Sequence, residues 1–188
     1  MKHNRFPLPE AIRLAVALLL LLAVGRAAPV PAQGGLSDEY EIRAAMVFNL
    51  PKFIQWPAWK MNGMHPVFEL CELGTDPVTA ILENFFRGKT IFEKPVSIRR
   101  LSQEEDASSC HLLYVTGSER KPFERISSDL RNKGVLCVGA EDWILTSGGE
   151  VSLPVIDNRV HIQIQITNAQ KGGWTVSSKL LQLANIIH

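Results

Sequence analysis

The sequence predicts a single α/β domain in which helices flank a mostly parallel central sheet, with a C-terminal β-hairpin and helix. Two observations support this prediction. Short apolar runs alternate with helix-forming segments between residues 67 and 138, which is typical of successive β-α units. Apolar and polar residues then alternate strictly from Arg159 to Ile166, which indicates a strand with one buried face.

The first residues of the chain have the three parts of a secretory signal peptide. A basic start ends at Arg13, an apolar run follows over residues 14–24, and small residues then allow cleavage after Ala27 or Ala32. The apolar run is shorter than the roughly 20 residues that a membrane-spanning helix needs. We therefore expect a cleaved signal peptide over residues 1–27, or 1–32.

Export of the remaining chain follows from this assignment. We expect a flexible leader over residues 28–37 and a folded domain over residues 38–188. The whole chain carries 20 basic and 19 acidic residues. Loss of residues 1–27 changes its formal charge from +1 to −2, because that segment holds four of the basic residues and one acidic residue. This balance excludes the strongly basic surface typical of nucleic-acid binding.

The first helix is expected to begin at Asp38, which forms a D-x-x-E capping box with Glu41. An apolar stripe at helical spacing predicts its buried face: Ile42, Ala45, Met46 and Phe53. Pro51 is expected to kink this helix or to end it early, because proline removes a backbone hydrogen bond and clashes with the preceding turn.

The middle of the chain predicts alternating strands and helices. The expected strands span residues 67–73, 94–101, 111–115 and 135–138, and the expected helices span residues 78–86 and 122–132. Asp76-Pro77 is a typical start for the first of these helices.

The last third of the chain predicts a different arrangement. Residues 150–153 and 159–166 indicate a β-hairpin that turns near Asp157-Asn158, and residues 177–187 indicate a closing helix. The alternation predicts that Val160, Ile162 and Ile164 face the core.

No catalytic motif occurs in the exported part: it lacks the G-x-S-x-G elbow, H-E-x-x-H, the P-loop and G-x-G-x-x-G. We expect His111 to be a hydrogen-bonded structural residue and His161 to be a polar residue of the hairpin. The acidic residues 104–106 are interpreted as solvated charge. The sequence therefore predicts a binding protein without enzymatic activity, metal or cofactor.

Three cysteines lie in the exported part, so an oxidising compartment allows one disulfide and one remaining thiol. Cys137 lies within a continuous apolar strand and is expected to be a buried free thiol. Cys71 and Cys110 lie near strand ends, which could place both near edges of the sheet. We predict the Cys71–Cys110 disulfide, while a Cys71–Cys137 pair and three free thiols are the alternatives.

Several motifs, in this order and spacing, resemble the YfiR family of small exported proteins over residues 38–187. The motifs are Trp56-Pro57, Leu70-Cys71 before Gly74, the run CHLLYV at 110–115 with Ser118, the strand at 136–138 followed by Gly148-Gly149, and the ending SSKLLQLA at 177–184. The sequence departs from the family pattern at Pro51, within the first helix, and at Gln165, where the family commonly has Asn.

The resemblance implies a periplasmic α/β protein, often dimeric, without a demonstrated enzymatic activity. Better-studied members repress a membrane-bound diguanylate cyclase by contacting its periplasmic sensor region, which lowers cyclic-di-GMP and restrains biofilm formation. The expected partner is therefore the periplasmic domain of such a cyclase, with homodimers as a second expectation and no membrane insertion after signal cleavage. Two alternatives are a small-ligand-binding module that works with a receptor such as a histidine kinase, and a secreted hydrolase.

The expected docking surface is the polar face of the late strand with a tryptophan beyond it, because an aromatic anchor within a hydrogen-bonding rim is typical of interfaces. Its residues are Arg159, His161, Gln163, Gln165 and Trp174. The alternatives are that these side chains only cover the sheet, or that docking uses the surface around Trp56 and Trp59.

Overall fold

The computed structural model describes residues 36–61, 66–102 and 106–188. The expected signal peptide, residues 28–35 of the expected leader, and Glu104 and Glu105 lie outside the described residues. The seven α-helices of the described part are α1 (Leu36–Asn49), α2 (Ala58–Met61), α3 (Pro77–Phe86), α4 (Arg120–Asn132), α5 (Trp143–Thr146), α6 (Ile166–Lys171) and α7 (Ser178–Leu183). None of the helices in these residues is long and apolar enough to span a membrane.

Twelve strands occur in the described residues. They are β1 (Ile54–Gln55), β2 (Phe68–Leu73), β3 (Thr90–Ile91), β4 (Lys94–Leu101), β5 (Leu112–Val115), β6 (Leu136–Gly139), β7 (Val151–Ser152), β8 (Val155–Ile156), β9 (Arg159–Val160), β10 (Gln163–Gln165), β11 (Thr175–Val176) and β12 (Asn185–Ile187). Eight of them form the central sheet, in the order β12–β10–β7–β6–β5–β2–β4–β3. Only the β10–β7 and β4–β3 pairs of this sheet are antiparallel, which confirms the predicted α/β fold with a mostly parallel sheet.

The predicted β-α units are confirmed with small shifts of their ends. The four predicted strands are β2, β4, β5 and β6, and the two predicted helices are α3 and α4. Asp76 caps α3, because its Oδ1 accepts the N–H groups of Val78 and Thr79 at 2.8 and 3.3 Å. Gly134 ends α4 at a φ of 66°, and Val135 N–H donates to the Leu130 carbonyl at 3.0 Å, as in a Schellman motif.

Helices cover both faces of the sheet and create two hydrophobic cores. On one face, α1 and α3 pack with Phe68, Leu70 and Leu112 of the central strands. On the other face, α4 and α5 pack with Leu113 and Val115. Strands β5 and β6 are buried along their whole length, which explains why they appear in the sequence as continuous apolar runs.

The first helix differs from its prediction at its start and agrees with it at its end. It begins at Leu36, so Asp38 lies in its first turn and the predicted capping box at Asp38 is wrong. There the carboxylate still favours the helix, because negative charge in the first turn stabilises the helix dipole. The helix ends at Asn49, and Pro51 lies in a 3₁₀ turn over Leu50–Phe53. The early end of the helix that the proline predicted is thus confirmed.

The predicted hairpin is confirmed in its turn but not in its second strand. Asp157 and Asn158 both have positive φ, and β7 pairs antiparallel with β10. The predicted continuous strand over residues 159–166 is wrong: it divides into β9 and β10, and the chain turns into α6 at Ile166.

The predicted last helix is correct only in its first half. It ends at Leu183, and residues 185–187 form β12, which pairs parallel with β10. The apolar spacing of Leu180, Ala184 and Ile187 fits a helix. The strand is formed instead because β12 pairs with backbone groups of β10 that would otherwise lie at the edge of the sheet.

The β3–β4 turn contains two strained residues, since Phe92 and Glu93 have φ of 51° and 64°. Left-handed backbone costs a non-glycine residue roughly 1–2 kcal/mol, and a two-residue turn of this kind favours glycine at its second position. Glu93→Gly is therefore expected to raise the free energy of unfolding by about 0.5–1 kcal/mol, measured by urea denaturation. Glu93→Ala is the control and is expected to give no gain. Equal stabilities of the two variants would contradict this account.

Candidate docking surface

The structure separates the residues of the predicted docking surface. Arg159 and His161 are exposed, whereas Gln163 is only 8% exposed and Gln165 is partly buried. Trp174 is 3% exposed, and its ring packs edge-on against the Trp56 ring at a centroid distance of 6.4 Å.

The expectation of one exposed polar face with an aromatic anchor is therefore wrong in its geometry. The alternation predicted an outer face, but Gln163 is buried in the folded domain, and Trp174 belongs to the hydrophobic core. A double replacement of Gln163 and Trp174 would accordingly disturb packing, whatever its effect on a partner.

The alternative surface around two other tryptophans is also divided. Trp56 is buried, and its Nε1–H donates to the Pro51 carbonyl at 3.4 Å. Trp59 is 59% exposed and packs over Gly134. Only one of the two aromatic rings could therefore contact a partner.

An apolar groove lies between α1 and α7 and encloses about 260 Å³. Its lining is almost entirely apolar: Ile42, Ala45, Met46, Asn49, Leu50, Phe53, Ile162, Leu180 and Leu183. Three of these side chains protrude into solvent, since Ile42 is 46%, Phe53 37% and Leu183 76% exposed. Exposed apolar side chains that cluster around a concave surface are typical of interaction sites.

The local sequence explains how α1 contributes to both the core and this groove. Ala44 and Val47 are fully buried in the core, whereas Ile42, Ala45 and Met46 line the groove. The apolar stripe predicted to be the core-facing side of α1 is therefore its groove side. The sequence of α1 contained a signal for this groove, because a helix that is apolar on two sides has a second apolar surface to cover.

The 3₁₀ turn and the last helix complete the groove. The turn over Leu50–Phe53 buries Leu50 and Pro51 and leaves Phe53 partly exposed. At the start of α7, the Ser177 hydroxyl accepts the Leu180 N–H at 3.3 Å. Capping at this position fixes α7 beside α1, with Leu180 buried and Leu183 exposed.

The groove has no reactive group. Its polar residue, Asn49, donates through Nδ2 to the Ala45 carbonyl at 2.8 Å and accepts through Oδ1 from Lys52 Nζ at 2.9 Å. The Lys52 ammonium also lies 4.2 Å from the centre of the Phe48 ring. Because the amide is already hydrogen-bonded, the groove can bind apolar groups but offers no residue for acid–base or nucleophilic chemistry.

A second, polar cleft of about 460 Å³ bears on the small-ligand alternative. It lies beyond the ends of β6 and β7 and includes Arg43, Glu39, Asp142 and Trp143. Arg43 is buried, with its guanidinium 2.7 Å from Glu39 Oε1 and its Nε donating to the Leu153 carbonyl at 3.1 Å. The cation of this cleft is therefore already neutralised within the protein.

A partly buried polar cluster involves side chains of the central strands and the start of α3. The Arg100 Nε lies 3.5 Å from Glu72 Oε2, and the Tyr114 hydroxyl donates to Asp76 Oδ2 at 3.0 Å. Glu72 is fully buried, and its oxygens make no hydrogen bond within the described residues. Burial raises the pKa of Glu72 to about 7, and it raises the pKa of Tyr114 as well. These residues line none of the cavities above.

The two described histidines that could act as bases, His111 and His161, do not support the hydrolase alternative. His111 is fully buried, its Nδ1 accepts the Glu69 N–H at 3.0 Å, and its ring stacks on Phe68 at 4.8 Å. His161 is exposed to solvent. The structural role predicted for His111 is thus confirmed.

The predicted Cys71–Cys110 disulfide is present, with a Cα–Cα distance of 5.9 Å, and Cys137 is a buried free thiol. Burial raises the pKa of the Cys137 thiol, which keeps it unreactive. The argument from sheet edges is wrong, because Cys71 lies in the central strand β2 and Cys110 lies just before its neighbour β5. In the described residues, the one group with metal-ligand spacing is Glu69, Cys71 and Cys110, and its two sulfurs are in this disulfide.

Comparisons with known proteins connect this geometry to a family. The family model described as YfiR/HmsC-like matches residues 40–185. No curated protein gives a significant match. Eight chains of solved structures match, among them the crystal structure of the ABC domain in complex with L-Trp from Streptococcus pneumonia.

The likeness to that crystal structure concerns the fold. The TM-score is 0.52 at 14% sequence identity, and the match covers 79% of this chain. The matched region spans 60% of the length of the solved chain. At this identity, the comparison supports the α/β architecture and carries no information about ligands.

Proposed function

Because the chain belongs to the YfiR/HmsC-like family, we propose that it is a periplasmic negative regulator of a membrane-bound diguanylate cyclase. In this proposal the exported domain binds the periplasmic sensor region of the cyclase through the apolar groove between α1 and α7. The family supports a periplasmic regulatory role rather than a catalytic one.

One observation carries the choice of surface. Ile42, Phe53 and Leu183 protrude around a concave apolar lining that contains no ionisable group. Removing such side chains from water on binding yields roughly 25 cal/mol per Å² of apolar area. A surface of this kind suits recognition of another protein and does not suit catalysis.

Repression by binding requires a preference between two receptor states. The protein can shift the cyclase only by the difference between its affinities for the inactive and the active conformation. A 100-fold preference, about 2.7 kcal/mol, would take a receptor that is half active to about 1% active at saturation. The groove needs to provide only this difference in affinity.

The proposal predicts that Leu183→Glu releases the cyclase. A carboxylate placed in an apolar contact loses hydration, and we expect binding to weaken by roughly 100-fold. Because Leu183 is 76% exposed, the fold should be unaffected. The measurement is cellular cyclic-di-GMP in a strain that carries the variant, compared with the wild type and with a deletion strain.

A matched control comes from the hairpin. Val155 is 39% exposed and lies outside the groove, so Val155→Glu introduces the same charge at another apolar surface position. It is expected to repress like the wild type. Full repression by a folded and abundant Leu183→Glu protein would rule out the groove as the contact.

A further inference from the structure

The two edges of the central sheet differ in how they are protected against pairing with another strand. At one edge, β3 has only two residues and lies between the charged residues Lys89 and Glu93. At the other edge, β12 is Asn-Ile-Ile, without a charge or a proline. Short strands, charges and prolines are the usual means of blocking an edge. Strand β12 contains neither a charged residue nor a proline.

The register of β12 shows which backbone groups face outward. Asn185 N–H donates to the Ile162 carbonyl at 2.8 Å, and Ile186 lies opposite Ile164. In a parallel pair, alternate residues of a strand direct both their N–H and their C=O toward the same neighbour. Asn185 and Ile187 therefore bond to β10, and the N–H and C=O of Ile186 point away from the sheet.

The apolar groove continues directly from this edge. Ile162, which accepts the hydrogen bond from Asn185, lines the groove, and Leu183 lies two residues before β12. One extended segment could thus pair with the backbone of Ile186 and insert an apolar side chain beside Leu183. Alternation of side chains along a strand allows both contacts at once.

The charges near this edge indicate the composition of the occupant. From residue 177 to residue 188 the chain contains the cationic Lys179 and no acidic residue. Lys52 donates a hydrogen bond to Asn49, which lines the groove. An apolar strand flanked by acidic residues would match the ammonium groups of Lys179 and Lys52.

We propose that β12 is a docking edge that takes an extended, apolar segment with acidic flanks from the periplasmic domain of the receptor. The segment adds a ninth strand to the eight-stranded sheet and places one apolar side chain in the groove. This inference rests on the proposed function, since it assigns the form of the partner at the same surface.

The test separates the backbone of Ile186 from its side chain. Ile186→Pro removes the outward N–H and leaves the hydrogen bonds of Asn185 and Ile187 to β10 in place, and proline is tolerated where an edge N–H faces solvent. Ile186→Ala keeps the N–H and shortens the side chain. Cyclic-di-GMP is expected to rise to the level of the deletion strain with Ile186→Pro and to stay below half of that level with Ile186→Ala.

The outcomes distinguish the two proposals. If deletion of the whole protein leaves cyclic-di-GMP unchanged, the proposed function fails, and the receptor as partner fails with it. If deletion raises cyclic-di-GMP but the folded Ile186→Pro protein represses like the wild type, strand addition alone is overturned.

Amide hydrogen exchange tests the edge without any substitution. In the isolated wild-type protein, we expect the Ile186 amide to exchange at least tenfold faster than the Ile187 amide. Addition of the purified periplasmic domain of the cyclase should remove this difference. Slow exchange at Ile186 in dilute protein would overturn the open edge, and protection that depends on protein concentration alone would assign it to a second copy of this chain, against the proposal.

Discussion

Replacement of both Cys71 and Cys110 by alanine is expected to lower the free energy of unfolding by about 4 kcal/mol. The disulfide closes a loop over a sequence separation of 39 residues, and that loop contains α3, β3 and β4. By the chain-entropy estimate, a cross-link over this length reduces the freedom of the unfolded chain by about this amount. The loss is large beside the roughly 5–15 kcal/mol that stabilises a typical domain.

The surroundings of the disulfide suggest a further contribution to the loss. The Arg99 Nη2 lies 3.8 Å from Cys71 Sγ and 3.6 Å from Cys110 Sγ, and it donates to the Ser109 hydroxyl at 2.9 Å. Removal of the sulfurs therefore leaves the Arg99 guanidinium with fewer contacts.

Urea denaturation of the double variant measures the effect, and Cys137→Ala is the control. Cys137 is equally buried but forms no cross-link, so its replacement should cost only about 1 kcal/mol through the small cavity it leaves. If the double variant were no less stable than the Cys137→Ala protein, the disulfide would not be a major source of stability.

The free energy of unfolding is expected to fall as the pH rises from 5 to 8, and Glu72→Gln is expected to remove part of this slope. Burial raises the pKa of Glu72 to about 7, against an ordinary value of 4.5. Between these values the folded protein holds a proton that the unfolded chain releases. The stability that this proton provides is present below pH 4.5 and is lost as the pH rises through 7.

The magnitude follows from the same shift. One pKa unit corresponds to about 1.4 kcal/mol, so Glu72 accounts for up to about 3 kcal/mol over this range. Arg100 limits the cost of ionisation, since its Nε lies 3.5 Å from the carboxylate. Glu150 acts in the same direction, because burial raises its pKa to about 8.

Urea curves at pH 5, 6, 7 and 8 test this prediction. The wild type and Glu72→Gln should have similar stabilities at pH 5, where Glu72 of the folded protein is protonated and the glutamine is its neutral counterpart. At pH 8 the variant should be the more stable of the two. Parallel stability profiles for the two proteins would show that Glu72 does not carry the pH dependence.

The sequence was sufficient to predict those helices and strands whose signals lie within a few neighbouring residues. The runs that form β5 and β6 are apolar at every position because both faces of these strands are covered. Asp76 and Pro77 marked the start of α3, and Pro51 marked the end of α1, because capping and proline geometry act within one turn.

The candidate docking surface could not be predicted from the sequence in the same way. The stripe of α1 that contains Ile42 and Met46 has the spacing of a core face, and Ala44 and Val47 have it equally. Helical periodicity shows which residues share a side of the helix. It does not show which side the sheet will cover.

By itself the sequence determined the α/β class, the order of its β-α units, the resemblance to the family and the preference for the Cys71–Cys110 pair. Only the tertiary structure decided that Trp174 and Gln163 are buried, that residues 185–187 form an edge strand instead of a helix, and that Leu183 remains exposed. Local patterns follow from the backbone geometry of a few neighbouring residues. The neighbours of a strand and the apolar side chains left in solvent depend on segments far apart in the chain, which meet only in the folded sheet.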